Sequence, residues 1–63
     1  MIVLTILDEL DPVQDVEIID FETDEVLARA LIAEVIMDPD NFEYSYDDVV
    51  NVQDDGMIVK IYI

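Results

Sequence analysis

Carboxylates are the only abundant side chains in this sequence that could do chemistry. The 63 residues include 17 Asp and Glu but only two Lys and Arg, with no His and no Cys, and the formal net charge at pH 7 is −15. Paired carboxylates can act as general acid and base, but a catalytic acid needs a pKa raised by burial or by its neighbours. A chain without His or Cys also lacks the usual zinc ligands and any nucleophile–histidine pair. We therefore predict that the protein is not an enzyme and uses no cofactor.

One short segment has a spacing that resembles a metal-binding loop. The run Asp38-Pro-Asp40-Asn41-Phe42-Glu43 opens with the Asp-x-Asp of a calcium loop. However, Phe42 occupies the position of the third ligand, and neither the glycine nor the closing glutamate follows at the required offset. We interpret this segment as the end of a helix followed by a loop, and we predict no metal site.

The composition also limits the possible partners. Hydrophobic residues make up 54% of the chain, which is too many for a disordered acidic tail. Two cationic side chains cannot neutralise a phosphate backbone, so we expect no direct binding to nucleic acid. An anionic membrane would repel this protein, no apolar run reaches transmembrane length and no signal peptide is recognisable. We therefore expect a cytoplasmic protein that does not bind membranes.

The length predicts one acidic α+β domain covering residues 1–63. The run Met1–Leu7 is apolar and rich in β-branched residues, which predicts a buried strand. The next segment, Val13–Phe21, alternates imperfectly between apolar and polar residues and predicts a second strand. We therefore expect the candidate carboxylates to lie on strands and in the turns that join them.

A helix is predicted over Thr23–Met37. Thr23 is suited to the N-cap position, and the Asp-Pro dipeptide after the segment would end the helix. Beyond the first turn only Arg29 and Glu34 are charged, so the helix would be apolar on nearly all sides. A helix of this kind is buried on more than one side. Because one small sheet covers only one side, we predict a homodimer or a partner on the other.

The C-terminal third predicts a hairpin. The segment Phe42–Val52 alternates as a strand does, and Asp55-Gly56 is a strong two-residue hairpin signal. With those two residues as the loop, Val52 would pair with Val59. The predicted order is ββαββ, which is an α+β fold with a small antiparallel sheet of about four strands packed against one helix.

Three aromatic side chains would share one face of the third predicted strand. Phe42, Tyr44 and Tyr46 have the same parity in that strand. They could anchor a partner, since aromatic residues dominate interface energetics. They could equally belong to the sheet core, and we favour the core because aromatic residues are enriched in strands for packing reasons.

The acidic residues occur in clusters, and these clusters are the candidate partner-binding surface. A net charge of magnitude about 2–8 is enough to keep a small domain soluble, so the excess indicates selection for an electrostatic field. The first cluster comprises Asp15, Glu17, Asp20, Glu22, Asp24 and Glu25, and the second set comprises Asp38, Asp40, Glu43, Asp47 and Asp48. Side chains on one face of a strand repeat every ~6.6 Å. We favour the first cluster, because a strand and a helix start would hold its carboxylates in a semi-regular array.

In composition and in three acidic clusters, Asp8–Asp11, Asp15–Glu25 and Asp38–Asp48, the chain resembles the small acidic DNA-mimic inhibitors encoded by phages and mobile elements. Those proteins block DNA repair glycosylases, restriction enzymes, CRISPR effectors or nucleoid proteins. They share no single fold or motif, so no residue role is carried over. The resemblance implies a non-enzymatic inhibitor whose partner is a basic nucleic-acid-binding protein.

Three other interpretations fit the same composition. An ordinary small domain of a halophile would also be acidic and poor in Lys, because molar salt screens the self-repulsion. An antitoxin or immunity-type protein would cap a basic partner without imitating DNA. An acidic oligomerisation module is the fourth possibility. The source organism would separate the halophile domain from the others.

Overall fold

The computed structural model, which describes all 63 residues, shows a four-stranded mixed sheet and two short helices. The elements in chain order are helix α1 (Val3–Leu7), strands β1 (Asp15–Ile19) and β2 (Val26–Leu31), helix α2 (Ile32–Met37), a 3-10 turn (Pro39–Asn41), and strands β3 (Asn51–Asp54) and β4 (Ile58–Tyr62). The predicted class, α+β with about four strands, is confirmed. The order of the elements is αββαββ, whereas the sequence predicted ββαββ.

The sheet has the strand order β2-β1-β4-β3. The two inner strands, β1 and β4, run parallel, while β2 pairs with β1 and β3 pairs with β4 in the antiparallel sense. The sheet is therefore mixed, and the prediction of an antiparallel sheet was wrong. The reason lies in burial: β4 contributes the buried Val59 and Ile61, whereas β3 has no fully buried residue. The more apolar strand of the hairpin takes the inner position beside β1, which makes the two neighbours parallel.

Both helices pack on the same face of the sheet. The core consists of Val3, Leu7, Val16, Ile18, Ile32, Val35, Val59 and Ile61, all 2% exposed or less. Its strand residues occupy alternate positions, and its helix residues are spaced three or four apart, as one-sided burial requires. The intervening strand positions therefore form an opposite face that no helix covers, which we call the open face.

The first apolar run forms helix α1, so the strand predicted there was wrong. Val3 and Leu7 lie one turn apart and are both fully buried. A short apolar run fits a buried helix as well as a buried strand, because periodicity does not separate the two. The helix has no side-chain cap; instead the N–H groups of Val3 and Leu4 donate to the carbonyls of Asp47 and Ser45 at 3.0 and 2.9 Å.

Only the last part of the helix predicted over residues 23–37 is present, as α2. The first part of the segment forms strand β2. Thr23 is not a helix N-cap: its Oγ1 accepts from the N–H of Glu25 at 3.3 Å in a tight turn. The Leu and Ala residues of β2 favour helix intrinsically, but pairing with β1 overrides that preference. The helix does end at Met37, as predicted. The two-sided apolar helix on which the homodimer prediction rested is therefore absent.

The hairpin predicted from Asp55-Gly56 is confirmed, with a different register. Val52 faces Ile61 and not Val59, so the register is shifted by two residues. Because side chains alternate with a period of two, this shift keeps Val52 on the core side of the sheet. Gly56 has φ = +93°, a conformation that glycine adopts without strain.

The third predicted strand is present only as β3, because residues 42–50 form successive turns and an isolated bridge. The rings of Phe42 and Tyr44 pack edge to face at a centroid distance of 5.9 Å, and both are packed against the core. Their assignment to the core is therefore confirmed, although they reach it from a turn and not from the sheet. Tyr46 is 55% exposed, so its assignment to the core was wrong.

Asp55 fixes the hairpin loop through backbone hydrogen bonds. Its Oδ1 accepts from the N–H groups of Ile58 at 2.8 Å and Met57 at 3.0 Å, while Oδ1 of Asp54 accepts from the N–H of Gly56 at 2.9 Å. The bonds from Ile58 and Met57 favour the ionised form and lower the pKa of Asp55 below its ordinary value of 3.8.

We expect Asp55→Asn to change the pH dependence of stability. Because the folded pKa lies below the unfolded one, the Asp55 carboxylate stabilises the fold above pH 3.8, and this contribution is lost as the pH falls through the folded pKa. Urea unfolding at decreasing pH should show wild type losing stability relative to the variant. Asp8→Asn, at an exposed position, should behave like wild type. Parallel pH profiles for wild type and Asp55→Asn would contradict this role.

Candidate partner-binding site

The open face of the sheet carries both cationic side chains of the protein. Arg29 of β2 lies opposite Glu17 of β1, and Lys60 of β4 lies opposite Glu17 on its other side. The guanidinium of Arg29 bridges two carboxylates, with Nη2 at 3.2 Å from Oδ2 of Asp15 and Nη1 at 3.8 Å from Oε2 of Glu17. Asp15 and Glu17 therefore share one face, as predicted, but a cation lies between them.

This bridging weakens the negative field above the open face. The side chain of Glu17 is only 16% exposed and lies between the two strands that carry Arg29 and Lys60. Of the 17 acidic side chains, Asp15 and Glu17 pair with Arg29, and the other 15 form no ion pair with Lys or Arg. The field of the protein therefore arises mainly from carboxylates that lie outside the open face.

The other four residues of the first predicted cluster lie in the turn that joins β1 to β2. We call residues 20–25 the acidic turn. Its backbone is closed by the N–H of Asp20 donating to the carbonyl of Glu25 at 2.9 Å and by the N–H of Asp24 donating to the carbonyl of Asp20 at 2.8 Å. Oδ1 of Asp20 also accepts from the N–H of Glu22 at 2.9 Å. A hydrogen-bonded turn, and not the predicted helix start, therefore holds these carboxylates, three of which are exposed.

Part of the second predicted set lies at the same end of the sheet. Strand β1 ends at Ile19, which lies opposite Tyr62 of β4, and Tyr62 lies opposite Asn51, the first residue of β3. The exposed Asp47 and Asp48 precede β3 and thus share this end with the acidic turn. We define the acidic end as Asp20, Glu22, Asp24, Glu25, Asp47 and Asp48. The parallel pairing of β1 and β4 places these residues, which come from two distant parts of the chain, at one end of the sheet.

Exposed apolar side chains occur at the acidic end, and the sequence did not predict them. Phe21 and Val26 are both 51% exposed, and Val50 is 58% exposed. Backbone bonds hold two of them: the N–H of Phe21 donates to the carbonyl of Ile63 at 3.0 Å, and that of Val50 donates to the carbonyl of Tyr62 at 2.7 Å. The only signal in the sequence was an aromatic residue directly between two acidic ones.

The remaining residues of the second set lie directly after α2 or in the turns that follow α2. Asp38 follows α2, and Glu43 is exposed in a turn. Oδ1 of Asp40 accepts a hydrogen bond from the hydroxyl of Tyr46 at 2.5 Å. This bond holds the hydroxyl proton and raises the pKa of Tyr46. The second set therefore does not form one array.

A pocket of about 140 Å³ opens between β2, α2 and the 3-10 turn. It is lined by Ala30, Glu34, Val35, Asp38, Asn41 and Phe42. No group of three or more acidic residues is arranged to hold a metal ion, and no helix is long and apolar enough to cross a membrane.

Comparison with known proteins found no match. No family model, no curated protein and no solved structure matches the chain.

We expect Arg29→Gln to destabilise the protein more than Lys60→Gln. Each variant removes one positive charge, but only Arg29 makes ion pairs, with Asp15 and Glu17. Exposed pairs contribute at most about 1 kcal/mol each, so the difference in the free energy of unfolding should be about 0.5–1 kcal/mol. The measurement is urea unfolding at low salt, repeated at about 1 M NaCl, where screening should abolish the difference. Equal losses in the two variants would show that only net charge matters.

Proposed function

We propose that the protein is a non-enzymatic acidic inhibitor that binds the basic nucleic-acid-binding site of a target protein by mimicking the charge of DNA. The observation that carries this proposal is the charge density. A net charge of −15 over a longest dimension of 29 Å is roughly one charge per 2 Å, and duplex DNA presents one charge per ≈ 1.7 Å of its axis. The net charge per unit length of the whole protein is therefore similar to that of a duplex.

The position of the carboxylates supports the acidic end as the surface that enters the target. These carboxylates form no ion pair within the chain, so all of their charge is available to a basic partner. The backbone of the acidic turn is already fixed by hydrogen bonds at Asp20 and Glu25, so binding need not order it. Electrostatic attraction of this kind accelerates association and makes it sensitive to salt.

The exposed apolar residues at the acidic end would supply affinity that charge alone does not. Charge complementarity contributes more to the association rate and to specificity than to affinity, whereas a few buried aromatic anchors dominate interface energetics. Phe21, held in the acidic turn beside Glu22, has the exposure needed to act as such an anchor. In this arrangement the carboxylates orient the protein and Phe21 makes the desolvated contact.

The partner is thus a basic nucleic-acid-binding protein, and the site of action is the cytoplasm in which that protein works. The inhibitor needs no cofactor, no direct contact with nucleic acid and no membrane. Dimerisation is not required for this function, since the acidic end is formed by one chain. An antitoxin-type cap would use the same charges on a basic partner but would leave the nucleic-acid site of that partner open.

We expect the protein to compete with DNA for its target. A pull-down from a host lysate at low and high salt identifies the bound protein, which is then titrated in the presence of a labelled duplex. Three variants each neutralise two carboxylates: Glu22→Gln/Glu25→Gln, Asp47→Asn/Asp48→Asn, and Asp8→Asn/Glu9→Gln as the control. Each exposed charge is worth up to about 1 kcal/mol, so either variant of the acidic end should weaken competition roughly tenfold, and the control much less.

Two results of this titration would contradict the proposal. A ternary complex of protein, target and duplex would reject mimicry. It would favour an antitoxin-type protein that binds its partner outside the nucleic-acid site. Equal weakening by the control pair Asp8 and Glu9, which lies in the connection that leads to the start of β1, would show that only net charge matters. The slope of affinity against salt should also be smaller for the acidic-end variants than for wild type, as it is when phosphate contacts are removed.

A further inference from the structure

The lining of the pocket beside β2 combines apolar side chains with two carboxylates. Ala30 and Val35 belong to the core side of the sheet and to α2, and Phe42 lines the pocket from the turn that follows. Two exposed carboxylates, Glu34 and Asp38, are also part of the lining. The pocket is therefore amphipathic.

No cation of the chain neutralises these two carboxylates. Arg29 and Lys60 both lie on the open face, on the other side of the sheet from the pocket. Neither Glu34 nor Asp38 takes part in an ion pair. An anionic ligand would be repelled, and a purely apolar one would desolvate the two carboxylates without compensating them.

The wall of the pocket is held in place by hydrogen bonds within the turn. The N–H of Asn41 donates to the carbonyl of Asp38 and that of Phe42 to the carbonyl of Pro39, both at 3.2 Å. The hydroxyl of Ser45, which is fully buried, donates to the same Pro39 carbonyl at 2.6 Å. The pocket is thus formed before any ligand binds, which lowers the entropy that binding must overcome.

We propose that this pocket receives the aliphatic stem and cationic head of a lysine or arginine side chain from the protein partner. A cavity of roughly 150 Å³ accommodates a benzene ring, so a pocket of about 140 Å³ has room for a four-carbon stem. Long cationic side chains bury their stems along apolar surface and keep the charge at the edge. Here Ala30, Val35 and Phe42 contact the stem, while Glu34 and Asp38 meet the charge.

This assignment rests on the proposed function in one respect, namely that the partner is a basic protein. It adds a specific contact on the helix side of the sheet, apart from the acidic end. It also predicts that a lysine or arginine of the target reaches past β2, the edge strand.

The test uses n-butylammonium and n-propylguanidinium as probes, which stand for the side chains of lysine and arginine, and follows backbone amide shifts by NMR. Both should cause saturable shifts confined to the pocket residues. Glu34→Gln/Asp38→Asn should raise the Kd of both probes roughly fivefold, whereas the matched control Asp8→Asn/Glu9→Gln should leave it within twofold. Ala30→Ile, which fills the pocket with a residue suited to a strand, should abolish the localised shifts.

Three outcomes would overturn the proposal. The first is shifts spread over all acidic regions, the second is an equal loss of affinity in the control pair, and the third is n-butanol binding as tightly as the cations. If one probe alone binds, the result assigns the pocket to lysine or to arginine. These measurements need no target protein, so a failure here leaves the competition with DNA untouched, and a failure of that competition leaves the pocket assignment standing.

Discussion

Self-repulsion is the constraint on which the rest of this structure depends. A chain of 63 residues with a net charge of −15 must fold around a core of only eight fully or almost fully buried side chains. The fold meets this constraint by separating the two kinds of residue. The eight core side chains lie on one face of the sheet and on the inner sides of two short helices. The two cations lie on either side of Glu17 on the open face, and the turns carry most of the remaining carboxylates.

The parallel pairing of β1 and β4 links this separation to the proposed function. Each inner strand contributes two residues to the core, and their parallel course places the end of β1 and the start of β3 at the same end of the sheet. The acidic turn and the pair Asp47 and Asp48, which are more than 20 residues apart in the sequence, therefore lie at the same end of the sheet. The same packing that buries the apolar residues gathers unpaired negative charge, and no separate binding module is needed.

The sequence predicted the parts of this fold that local patterns control. The hairpin at Asp55-Gly56 follows from turn chemistry, and β1 follows from its alternation. It did not predict α1, because a short apolar run fits a buried helix or strand equally well. It did not predict β2 either, because Leu and Ala favour helix in isolation, and the partner that makes this segment a strand lies elsewhere in the chain.

The candidate site was predictable to the same degree. Asp15 and Glu17 were expected on one face of a strand, and they are there. The bridging by Arg29 could not be foreseen, because it depends on the register between β1 and β2, and the second of these was interpreted as helix. The gathering of the acidic end depends on the parallel pairing of two strands that are distant in the sequence, which no local pattern specifies.

Every functional proposal here requires that most carboxylates remain unneutralised in the folded protein. The melting temperature as a function of ionic strength tests this most directly, in NaCl and in tetramethylammonium chloride from about 0.01 to about 0.3 M. Over this range the Debye length falls from about 30 Å to below about 8 Å. Relief of about 1 kcal/mol of repulsion shifts the melting temperature of a domain of this size by roughly 4–8 °C. We predict a rise of at least that size, equal in the two salts. A melting temperature that does not change, or that rises only in NaCl, would show that the charges are already compensated or bind a specific ion, and would contradict the account.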